Sequence, residues 1–92
     1  MSERRQLFYS GQVQGVGFRY TTRSIAQRYE VAGFVRNLPD GRVELVVDGA
    51  VAELDRFLAE LAEQMSGNIR SVDCDRRSVP AAGEFADFSV RY

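Results

Sequence analysis

Apolar positions along the chain follow two rhythms, and their order predicts the elements. Leu7 to Val13 carries alternating and aromatic residues and ends in a glycine turn, which predicts a first strand. Phe18, Thr22, Ile25, Ala26 and Tyr29 then recur in the spacing of one helical face, so a helix is expected over Phe18 to Tyr29. Val31 to Leu38 and Arg42 to Asp48 are rich in β-formers and are joined by Pro39-Asp40-Gly41, a turn composition. Val43, Leu45 and Val47 alternate with Arg42, Glu44 and Asp48, so the two runs form a hairpin with one buried face. Helical spacing returns in Val51, Leu54, Phe57, Leu58, Leu61 and Met65, with Glu53, Asp55, Glu60 and Glu63 on the opposite side. Ser66-Gly67-Asn68 supplies a C-capping composition for this second helix. Ile69 to Val79 reads as a long polar-faced strand, Pro80 to Gly83 as a turn, and Phe85 to Tyr92 as a last strand with Phe88 and Val90 inward.

The order is β-α-β-β-α-β with a short C-terminal strand. Two helical crossovers around a central hairpin imply an α+β, ferredoxin-like split βαβ sandwich: an antiparallel sheet with two helices on one face. Residues 1–92 are expected to form a single domain, with no linker or low-complexity tract between its elements. Because this topology carries enzymes, RNA binders and small-ligand regulatory modules, function has to be sought in a site.

Composition removes several classes of site. There is no histidine and one cysteine, Cys74, so neither an internal disulfide nor a structural zinc site can be built, and no cofactor or metal is expected. No segment approaches the roughly 18 apolar residues of a membrane helix, and the basic start of the chain lacks an apolar signal core. A cytoplasmic protein without membrane contact is expected. The formal charge of -1 gives no global pull on nucleic acid, so any anion must be held by local geometry. A small-molecule ligand and a monomeric state fit these bounds. All 12 basic residues are arginine, which reads as compositional bias with one or two arginines functional.

Local geometry of that kind is offered by Gly11 to Arg19, GQVQGVGFR, which lies between the first strand and the first helix. Backbone N–H groups from Gln14, Gly15, Val16, Gly17 and Phe18 can converge on one anion there, and Arg19 adds a forked cation. The same glycines could serve only positive φ or close packing, with Arg19 a solvated surface residue. Against that, a cation at a helix N-terminus opposes the macrodipole unless an anion lies between them. Other phosphate chemistries do not fit. A P-loop needs lysine, the dinucleotide fingerprint needs a different glycine spacing, and the residue six beyond Cys74 is Pro80 where a cysteine phosphatase needs arginine. Asn37 admits two readings: it begins the hairpin turn, or its carboxamide faces the cradle and orients water at a bound phosphorus.

Taken together, VQGVGFR (Val13 to Arg19), Ala26, GFVRNLPDGRVEL (Gly33 to Leu45), Gly49, Phe85, Phe88 and Val90 resemble the acylphosphatase family over essentially the whole chain. The resemblance implies the ferredoxin-like fold and metal-free hydrolysis of a carboxyl–phosphate bond. It also implies phosphate binding by Arg19 and water positioning by Asn37. Phe34 stands where the family usually has tryptophan, Gln12 replaces a common basic residue, and Ser66-Gly67-Asn68 lacks a frequent Gly-Pro. The chemistry suits a chain without histidine, because the departing carboxylate has a conjugate acid of pKa about 4 and needs no protein proton donor. The alternatives are a non-catalytic RNA-binding domain or a small-ligand regulatory module of the same topology. Gly15 to Tyr20 faintly resembles an RNA-recognition motif, but that motif belongs on an interior strand.

Overall fold

The computed structural model describes residues 2–79 and 84–92; the turn expected at Pro80 to Gly83 lies outside them. The elements are β1 (Ser2–Gly11), α1 (Phe18–Ala26), β2 (Val31–Asn37), β3 (Val43–Ala50), α2 (Val51–Gln64), β4 (Ile69–Ser78) and β5 (Phe88–Arg91). The five strands form one sheet in the order β4-β1-β3-β2-β5.

Successive side chains of a strand point to opposite faces, and the alternation read from the sequence is realised. Leu7, Tyr9, Val35, Val43, Leu45 and Val47 project from the sheet into one core. Helix α1 covers that face with Phe18, Ile25 and Ala26, and α2 with Leu54, Phe57 and Leu61. Each large apolar side chain removed from water contributes about 1.5–3 kcal/mol. Thr22 is buried among them without an orphan hydroxyl, because Oγ1 donates to the Phe18 carbonyl at 2.8 Å. Phe88 and Val90 also face inward and pack against this core.

Element boundaries differ from the periodic pattern in physically identifiable ways. Helix α1 stops at Ala26 rather than Tyr29, because Arg28 N–H and Tyr29 N–H turn back to the Ile25 and Ala26 carbonyls in tightened, 3₁₀-type bonds. Strand β1 starts five residues before Leu7. Its early part is hidden by Arg5, a buried cation whose guanidinium meets Glu3 at 3.0 Å and Asp55 of α2 at 2.8 Å. Strand β5 is shorter than Phe85 to Tyr92, and the Phe85 ring instead packs edge-on against Phe34.

The expectation of a wholly antiparallel sheet is corrected: β5 pairs with β2 in parallel, Phe88 beside Gly33 and Val90 beside Val35. Ser78, Glu3, Gly49 and Val31 lie in one row across the sheet, so β4 ends at the edge where β2 begins. Strand β5 lies on the far side of β2 and runs in β2's own direction. Gly33 makes the β2–β3 approach possible, since its φ is +150° and a Cβ there would stand 1.9 Å from the Val46 carbonyl oxygen.

The second face of the sheet carries no helix among the described residues, and arginines lie over its aromatic rings. Arg42 lies over Phe8 at 4.7 Å, Arg91 over Phe34 at 3.9 Å and Arg4 over Phe85 at 4.9 Å. Glu44, also on this face, is buried beneath bonds from Gln6 and Arg36. Part of the arginine content therefore has a packing role, in which flat guanidinium groups shield aromatic rings from water.

Candidate active site

Beyond β1 the chain leaves the sheet and turns into α1 through two left-handed glycines, Gly15 at φ 75° and Gly17 at φ 80°. Neither is forced by crowding, for a Cβ at either position would meet nothing within 4 Å. What they set is the direction of the peptide planes. Gly17 begins α1, with Thr21 N–H donating to its carbonyl at 2.9 Å, and no side chain caps the helix start. The N–H groups from Gln14 to Phe18 have no acceptor among the described residues. Unsatisfied donors at a left-handed turn and a bare helix N-terminus are together suited to receive an anion.

Phe18 anchors this turn, its ring buried against Tyr9 with centroids 4.9 Å apart. Burial pushes the Tyr9 hydroxyl far above its ordinary value, so it stays neutral beneath the loop. With Phe18 turned inward, the next residue is carried to the cleft. Arg19 lines it, with its guanidinium over the Tyr92 ring at 4.6 Å and Nη1 donating to the Arg91 carbonyl across a long 3.4 Å. The contact is weak enough to yield to an anion.

Asn37 closes β2 and lines the same cleft of about 520 Å³. Its Oδ1 is buried and has no hydrogen-bond partner. Such an acceptor is free to bond water or a ligand that enters the cleft. The turn after Asn37 is closed by backbone bonds: Leu38 N–H donates to the Arg42 carbonyl at 2.8 Å and Gly41 N–H to the Leu38 carbonyl at 3.1 Å. Asp40 caps it, and the Arg42 backbone N–H followed by its guanidinium holds that carboxyl below the usual range.

The structure thus brings the glycine turn, Arg19 and Asn37 to one cleft. Two features, one in the wall of the cleft and one beside it, left no sign in the sequence. Residues of β5 and the Arg91 carbonyl reach the site through a strand pairing that leaves no local signal. The Gln14 side chain was read only for its backbone N–H, yet it bonds the hairpin turn. Other chemistries find little support. Partial desolvation by its neighbours on the sheet raises the Cys74 thiol above its ordinary value, so it is no activated nucleophile, and it lies on β4 away from the cleft. Among the described residues, no three His, Cys, Asp or Glu side chains are grouped to hold a metal ion.

Comparison with known proteins shows the family of the chain. A family model described as acylphosphatase matches residues 5–90. An acylphosphatase of Acaryochloris marina is 42% identical over 82 residues, covering 88% of this chain and 85% of the relative. One of Pediococcus pentosaceus is 43% identical over 83 residues, covering 90% and 91% respectively. The crystal structure of acylphosphatase from Bacillus subtilis aligns over 100% of both chains with a TM-score of 0.82 at 28% identity. With the match extending over nearly every element that builds the cleft, the chain belongs to the acylphosphatase family, enzymes that hydrolyse acyl phosphates.

Proposed function

We propose that acyl phosphate hydrolysis takes place in the cleft at the head of α1, with Arg19 and the N–H groups of Gln14 to Phe18 holding the phosphoryl group and Asn37 holding the attacking water. The observation that carries this reading is that Arg19 and Asn37, from different elements, line one cleft beside the open donors of the glycine turn.

Phosphoryl transfer runs through a loose transition state with charge on the peripheral oxygens, so the protein's work is positioning and electrostatics. The Arg19 fork and the α1 N-terminus supply positive potential where that charge lies. The Asn37 carboxamide accepts and donates, and so aims water at phosphorus opposite the scissile bond. As the new P–O bond forms, the bond to the acyl oxygen breaks and its electron pair leaves on the carboxylate. The water's proton passes to a phosphoryl oxygen of the substrate. A carboxylate of conjugate-acid pKa about 4 departs unprotonated at neutral pH, so no side-chain acid is required.

The phosphoryl group fills only part of the cleft, and the acyl group extends to an open rim beside the exposed Tyr20 and Tyr92. That rim offers little shape discrimination among small acyl phosphates. The rival reading for this topology, RNA stacked on the open sheet face, needs uncovered aromatic rings, whereas Phe8 and Phe34 lie under Arg42 and Arg91. We therefore propose one domain acting as a monomer on a small molecule, without nucleic acid, membrane or metal. The exposed, unpaired Cys74 suits a reducing cytoplasm.

Hydrolysis of benzoyl phosphate in excess chelator tests the proposal. Undiminished turnover is expected; no turnover by folded protein, or turnover that requires an added divalent cation, would refute it.

A further inference from the structure

Gln14 sits inside the phosphate cradle, but its side chain is committed elsewhere. Nε2 donates to the Leu38 carbonyl at 2.8 Å and to the Arg42 carbonyl at 2.9 Å. Those carbonyls are the two ends of the β2–β3 turn, already joined by the Leu38 N–H to Arg42 bond. Both protons of one carboxamide are thus spent on a single turn, and Asn37 is the residue immediately before it.

This link has a consequence for geometry. The cradle hangs from the end of β1 and Asn37 from the end of β2, and these strands are not neighbours because β3 lies between them. No ladder bond joins the two halves of the cleft directly. Among the described residues, the Gln14 side chain makes the only side-chain hydrogen bonds between the loop at 12–17 and the turn at 38–42. We propose that Gln14 is a positioning residue, whose side chain sets the distance between the phosphate cradle and the water-holding Asn37. The proposal rests on the role assigned to Asn37. Its effect falls on the in-line approach of water, because the backbone donors that hold phosphate remain when the side chain is changed.

The test is Gln14→Met, which keeps the unbranched stem and removes both donors, with Gln14→Asn, whose amide is too short to span the gap, as a second variant. Each is measured alone and combined with Asn37→Ala, using benzoyl phosphate turnover and competitive inhibition by inorganic phosphate. Misplacement of reacting groups by about 1 Å costs on the order of 100-fold, so a loss in kcat on the order of 10- to 100-fold is expected. Phosphate inhibition should stay within about twofold of the parent, and in the Asn37→Ala background either change should cost less than about threefold. Wild-type kcat in a folded variant would overturn the proposal. So would an equal loss in both backgrounds, or phosphate inhibition weakened in step with kcat, since Gln14 would then shape only the cradle. If Asn37→Ala alone retains turnover, the fault lies instead with the role given to Asn37.

Discussion

Replacing Asn37 with alanine should separate catalysis from stability. No donor among the described residues holds the Asn37 Oδ1, and the residue is half-buried at the wall of the cleft, so the fold loses little when the carboxamide is removed. A change of at most about 1 kcal/mol in a domain of this size corresponds to a shift of at most about 4–8 °C in Tm. Catalysis falls, because water loses the group that aims it. Removing one preorganised hydrogen-bonding group of this kind lowers kcat by about 100- to 1,000-fold, or about 2.7–4 kcal/mol of barrier. Inorganic phosphate, held by Arg19 and the backbone, should still inhibit residual turnover at the parent's concentration. The assay pairs benzoyl phosphate kinetics with thermal unfolding followed by far-UV circular dichroism. Turnover within about threefold of the parent would refute the role of Asn37. A fall in Tm of more than about 4–8 °C would instead make the residue a structural one.

Arg19→Lys replaces a fork with a point charge and forfeits a charge-assisted bond of about 1.5–3 kcal/mol, so kcat/KM should drop about 10- to 150-fold with weaker phosphate inhibition. Near-normal hydrolysis by the folded variant would contradict the assignment. Gly33→Ala would drive a Cβ into the Val46 carbonyl, destabilising by about 3 kcal/mol or more; an unchanged urea midpoint would show that β2 can move away from β3. Glu3, Glu53 and Glu60 are held below their ordinary carboxyl value of 4.5, chiefly by Arg76, the Glu30 backbone N–H and Arg28 respectively. The folded state prefers these groups ionised, so their contribution is complete above the ordinary value and is lost as pH falls through the lowered ones. Tm should hold from neutrality to about pH 5, decline below about pH 4, and decline less steeply at high salt; a rise on acidification would be inconsistent with these pairs.

Much of the molecule is legible before it folds. The alternation of Val43, Leu45 and Val47 and the spacing of Phe18, Ile25 and Ala26 correctly named core positions, because a buried face imposes its period on consecutive residues. Pro39-Asp40-Gly41 marked the hairpin turn, and the glycine run before Arg19 marked the left-handed turn that lines the cleft, because both depend on local backbone preference. Arg5 concealed the start of β1, since a charge buried against partners from Glu3 and α2 reads as surface until those partners are in place. The parallel entry of β5, the stacking of Arg91 on Phe34 and the reach of Gln14 to the Leu38 and Arg42 carbonyls belong to the assembled molecule alone. Periodicity records which side of a segment is dry. It carries no trace of which distant segment lies beside it, nor of a side chain that bonds to a main-chain oxygen elsewhere. The chemical groups of this cleft are therefore written along the chain, while the spacing between them arises only where β1, β2 and β5 are brought together.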